Sequence, residues 1–135
     1  MEQALNATEI TVLGWSVVLL LVQIAAQAVS SYDLGPNYLM GPRDTERKSA
    51  NVLSGRFARA LKNLLETYPA FVALALALVV SGKAGGIAAT GAWIWLVARI
   101  VFVVVYGLGV PVVRTLVWLV ALAGLLMMLV RLMFA

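Results

Sequence analysis

The sequence has no cysteine and no histidine. The first absence excludes disulfides, thiolate metal sites and a thiol nucleophile. The second removes the commonest general base and metal ligand, so no resident metal is expected. Charge is scarce as well: 12% of the 135 residues are charged, against roughly 25% in a soluble domain. With 63% hydrophobic residues, too little polar surface remains to cover a small water-soluble globule. Intrinsic disorder is excluded too, because it needs low hydrophobicity and high charge. Alternation of apolar and polar residues, which a membrane barrel requires, is missing. The basic residues lack interleaved aromatics, which argues against a nucleic-acid partner. The length fits one domain, 1–135.

What is present is four long apolar blocks, each near the 20 residues that a bilayer-crossing helix needs. Between Glu9 and Asp33 lie 23 uncharged residues, with Ile10 to Val29 as the cleanest span. Glu2 and Glu9 stand where a signal peptide would be basic, so this block reads as a membrane anchor. The second block runs from about Val52 to Ser81, with its span taken as 56–81. Its first half is basic and polar and its second half apolar, so it reads as one helix that starts at the membrane surface. Pro69 should bend or loosen it. The third and fourth spans are 86–108 and 112–134, separated by the break Gly107 to Pro111. The expected fold is an all-α four-helix membrane bundle, with small residues in every span to allow close helix contact.

The only extended polar segment is the loop at about 30–55. With the start of the second helix it carries Arg43, Arg47, Lys48, Arg56, Arg59 and Lys62. The positive-inside rule puts this face in the cytoplasm and both termini on the other side. Such a face suits anionic membrane lipids.

Ionisable groups inside spans cost about 2.5–3.5 kcal/mol each on insertion scales, so each asks for a reason. At 100° per residue, Arg56, Arg59, Lys62, Asn63 and Glu66 fall within an arc of about 120° on the second helix. One reading is a polar pocket for an anionic, amide-rich ligand. Arg59 and Lys62 would take carboxylates, Asn63 an amide and Glu66 an ammonium. The other reading is an amphipathic helix entrance whose charges snorkel to water or pair across subunits. On the third helix, Arg99 and Tyr106 share a face, with Phe102 between them. Arg99 needs a buried partner, and by depth Glu66 is the best candidate. Arg114 and Thr115 open the fourth helix just past Pro111. Arg114 suits either an interface anchor or a cation that lowers the pKa of a ligand thiol. Trp15, Trp93, Trp95 and Trp118 read as interface or packing aromatics.

These residues resemble the MAPEG family, the membrane-associated proteins of eicosanoid and glutathione metabolism. The sharpest match is Arg59 to Phe71, R-A-L-K-N-L-L-E-T-Y-P-A-F, which is similar to the family's R-x-x-R-N-x-x-E motif followed by Tyr-Pro and Phe. GPRD at 41–44 is similar to bacterial members, and Arg99, Tyr106, Pro111 and Arg114 follow the family's order. The resemblance implies a homotrimer in a membrane, of bacterial inner-membrane type, with glutathione bound between subunits near the cytoplasmic face. Arg59, Lys62, Asn63, Glu66, Arg99 and Tyr106 match the family's glutathione contacts. Arg114, with Thr115 in place of a serine, matches the residues that assist the thiol. The implied chemistries act on lipophilic small molecules: conjugation to glutathione, reduction of lipid hydroperoxides and prostaglandin isomerisation. Some members bind lipid without catalysis.

The chain departs from the pattern in four places. Lys62 replaces an Arg, and a point-charge ammonium cannot form a bidentate fork. The first helix, ending Gln23 to Gln27, lacks an Arg, and Phe102 stands in place of a histidine. The spacing from the third to the fourth helix is about one residue shorter than in some members. The expected function is a glutathione transferase or peroxidase-type activity on lipophilic electrophiles. The alternatives are a non-catalytic lipid- or ligand-binding trimer and an accessory subunit of a membrane complex.

Overall fold

The computed structural model describes residues 7–30, 35 and 52–134. The basic loop residues Arg43, Arg47 and Lys48, and the GPRD segment at 41–44, lie outside them. Among the described residues there are four helices: α1, Thr8–Ser30; α2, Val52–Val80; α3, Ile87–Leu108; and α4, Pro111–Phe134. All four are long and apolar enough to cross a membrane. Helices satisfy their own backbone hydrogen bonds, which hydrocarbon demands. At 1.5 Å per residue, α2 is about 44 Å long, more than the roughly 30 Å hydrocarbon core. Its polar first turns therefore extend past the apolar layer. The helix runs unbroken through Pro69, whose side is exposed.

The two short connections are built the same way. After α2, Gly82 adopts φ +75°, Gly82 N donates to Val79 O and Lys83 N donates to Leu78 O. After α3, Gly109 adopts φ +76°, Gly109 N donates to Tyr106 O and Val110 N donates to Val105 O. Both are Schellman ends, which need a left-handed residue that glycine supplies without a Cβ clash. Pro111 then opens α4, where its missing N–H costs nothing.

α3 is the most buried of the four helices. Its crossing with α4 is tightened at Gly91 and Gly124, which face each other across the contact. Beside them Trp95 stacks on Phe71 of α2, with centroids 3.9 Å apart and planes 6° from parallel. Tyr68 leans on the same indole and shares a 2.8 Å hydrogen bond with Ser16 of α1. At one end of the bundle a polar clasp joins the termini of three helices. Gly85 N donates to the buried Glu9 carboxylate at 2.9 Å. Lys83 Nζ donates to Leu132 O, and Arg131 Nε donates to Lys83 O. Lys83 thus ties the α2–α3 turn to the end of α4. The outer surface of the protomer is lined with exposed Leu, Val and Ile, as lipid or a neighbouring subunit requires.

Candidate functional site

The far end of the bundle holds a second polar group, and α2 supplies most of it. Arg56, Arg59 and Asn63 form the edge of the α2 stripe that faces α3. Arg56 Nη1 donates to Gly107 O at 2.9 Å. Its guanidinium packs against Gly109, where an added Cβ would lie 2.8 Å from Arg56 Nη2. Arg59 Nε donates to the Tyr106 hydroxyl at 3.2 Å. One turn deeper, Arg99 Nη1 donates to Asn63 Oδ1 at 2.8 Å.

Lys62 and Glu66 occupy the other edge of the stripe. Both are exposed in the protomer, and among the described residues no ion pair joins them. This corrects one expectation. Arg99 is partnered by Asn63, not by Glu66. Glu66 lies within electrostatic reach of Arg99 without bonding to it. The reason is angular: Asn63 points along the α2–α3 contact, and Glu66, three residues on, is rotated 60° away from it.

Asn63, Phe102, Tyr106, Arg114, Thr115 and Trp118 line a cavity of about 280 Å³. Arg114 lies 4.7 Å from the centroid of the Tyr106 ring, and Arg59 lies 5.9 Å from it. Two cations thus flank one aromatic ring, each attracted by its quadrupole. The Tyr106 hydroxyl accepts from Arg59 and keeps its own proton available to donate. Thr115 is exposed, and its hydroxyl donates to Pro111 O at 3.4 Å. Arg99 is fully buried and is not among the cavity's lining residues. Its guanidinium lies 4.4 Å from the centroid of the Phe102 ring. Nε and Nη2 of Arg99 have no partner among the described residues.

Of the eight site residues expected from the sequence, Asn63, Tyr106, Arg114 and Thr115 meet at the cavity wall. Arg59 joins through its bond to Tyr106, and Arg99 through its bond to Asn63. Lys62 and Glu66 do not reach it in the lone protomer. Sequence reasoning read Trp118 as an interface or packing aromatic; it lines the cavity, and its spacing of four from Arg114 puts both on one face of α4. Sequence reasoning overlooked Gln23 as a buried group. Gln23 is 3% exposed, and neither atom of its amide has a hydrogen-bond partner among the described residues. No cluster of three or more His, Cys, Asp or Glu that could hold a metal occurs among the described residues.

Compared with known families, the chain matches the MAPEG family model over residues 10–134, nearly its whole length. No curated protein matches it, and no solved structure does.

Proposed function

The chain belongs to the MAPEG family, and from that premise we propose that it binds glutathione in the Asn63–Tyr106–Arg114 cavity and conjugates it to lipophilic electrophiles. The observation that carries this reading is the meeting of an amide, a phenol, a guanidinium and a hydroxyl around one cavity. Family membership supports a glutathione-related role at a membrane in general.

In this reading Arg59 and Lys62 take the carboxylates of the tripeptide, and Glu66 takes its ammonium. Asn63, held by Arg99, meets a peptide amide. Arg114 stands over Tyr106 at the cavity mouth and favours the thiolate over the thiol, as a nearby cation does. The thiol proton leaves to water. The thiolate sulfur then attacks the electrophilic carbon, forming a C–S bond. With a halide the leaving group departs with its electron pair, and with an epoxide or enone the product takes up a proton from water. Tyr106 is the hydroxyl donor for the sulfur or the developing oxyanion, and Thr115 joins it only by turning its proton away from Pro111 O. The protein forms no covalent intermediate. Much of the rate comes from holding both reactants in one cleft.

Lys62 and Glu66, exposed on one protomer, favour assembly with a neighbouring subunit that completes the cleft. We take that assembly to be a homotrimer in a bacterial inner membrane, with both termini on the non-cytoplasmic side. Charged groups left in apolar surroundings are costly, and a neighbour would relieve that cost. A second reading, a ligand-binding protein without turnover, is favoured by two observations: Phe102 puts a phenyl ring into the cavity wall, and the Thr115 hydroxyl is engaged by Pro111 O.

The test is thermal unfolding in detergent with and without glutathione, paired with turnover of a generic aryl halide. A ligand at 100 times its Kd adds about 2.7 kcal/mol. Stabilisation with turnover supports the enzyme, and stabilisation alone supports the binder. No stabilisation at saturating glutathione rejects the cavity as a glutathione site.

A further inference from the structure

Arg99 carries a full positive charge, is 0% exposed, and is bonded only to the neutral Asn63 among the described residues. Two of its three nitrogens have no partner among the described residues. The Glu66 carboxylate lies within electrostatic reach but does not bond to Arg99, so a buried guanidinium in that state still favours an anion in direct contact. Yet it does not line the cavity next to it. The Phe102 ring lines the cavity and at the same time lies over the guanidinium, 4.4 Å from Cζ to centroid. Phe102 is 2% exposed and leans on Tyr106 with centroids 5.5 Å apart, so its ring is held in place from the other side.

We propose that Phe102 is a specificity-determining residue that shuts the Arg99 cation off from the cavity. The inner wall then accepts an apolar part of a ligand and refuses a carboxylate. Anionic groups are held only at the mouth, by Arg114 and Arg59. Arg99 serves the ligand indirectly, by fixing the Asn63 amide through its carbonyl oxygen. Behind the ring lies a latent anion site, made of the free nitrogens of Arg99. This rests on the cavity being a ligand site, but not on the ligand being glutathione.

Two probes test it without glutathione. Phe102→Val removes the ring beside the guanidinium while keeping an apolar side chain. Sodium acetate, with sodium chloride at equal ionic strength as control, should raise the unfolding temperature of Phe102→Val saturably. It should leave the wild type and Phe102→Val/Arg99→Met unmoved. In parallel, phenylglyoxal should modify Arg99 in Phe102→Val about tenfold faster than in wild type, as read by peptide mass spectrometry; tenfold corresponds to exposure of the guanidinium becoming about 1.4 kcal/mol easier once the covering ring is gone. If Phe102→Val does not fold, Phe102→Leu is used with the same two probes. Equal acetate shifts with and without Arg99, or equal labelling of Arg99 in wild type and variant, overturns the proposal. Failure of glutathione to stabilise the wild type would reject the proposed function and leave this result standing.

Discussion

Gly91 and Gly124 meet carbonyl to Cα across the α3–α4 crossing. A Cβ built on either would lie 2.6 Å from the carbonyl oxygen of the other. Backbone rather than a movable side chain is in the way, so neither helix can accept a methyl without sliding. In lipid no hydrophobic force pulls helices together, and close backbone approach of this kind is a main source of their attraction.

The first prediction follows from that contact. Gly91→Ala should lower stability by about 1–3 kcal/mol, the usual cost of overpacking. Gly14→Ala is the control, because nothing lies within 4 Å of its Cβ direction. Equilibrium unfolding in mixed detergent measures both. Equal stability of the two variants would show that the α3–α4 contact is looser than described.

The Arg99–Asn63 bond gives the second. Asn63→Ala leaves the buried guanidinium without its one hydrogen-bond partner among the described residues and should cost about 1.5–3 kcal/mol, the value of a hydrogen bond to a charged group. Adding Arg99→Met removes the charge and should return most of that loss. A double-mutant cycle reads the coupling directly. Additive losses would mean that the two side chains are independent.

Gln23 supplies a third. Its amide is buried with neither atom bonded to a described residue, so Gln23→Leu removes two unmet polar groups at little change in volume. Stability should hold or rise, by up to about 1–3 kcal/mol, the cost of leaving such groups unpaired. A clear loss of stability on this substitution would reveal a partner for the amide, such as a bound water or a neighbouring subunit.

The fourth concerns turnover. If Arg114 stabilises the thiolate rather than the tripeptide, Arg114→Ala should lower kcat by roughly 100-fold, within the range seen when one charge-stabilising donor is removed. The Kd for glutathione, measured by calorimetry, should change far less. Wild-type kcat in the variant would take Arg114 out of the mechanism.

Much of the fold was legible in the chain. Long apolar runs located the helices, because a bilayer-crossing helix needs about 20 mostly apolar residues and charge within it is costly. The Gly107–Pro111 break was legible because only glycine fits the left-handed end at 109 and proline fits the next helix start. The α2 stripe was legible from its angular spacing.

The partners across helices were not. Arg56, Arg59 and Asn63 share the stripe with Lys62 and Glu66, and periodicity alone cannot say which edge meets α3. The crossing of α2 and α3 decides that, and it gives Arg99 to Asn63 instead of Glu66. Trp118 likewise carried a helical phase but no sign that a cavity lay before it. Composition and periodicity set what each helix buries and how far it reaches through a membrane, because those depend on transfer energies and on a fixed turn of 100° per residue. The tertiary structure alone decided which polar atoms touch, because a hydrogen bond depends on tenths of an ångström between helices that are far apart in the chain.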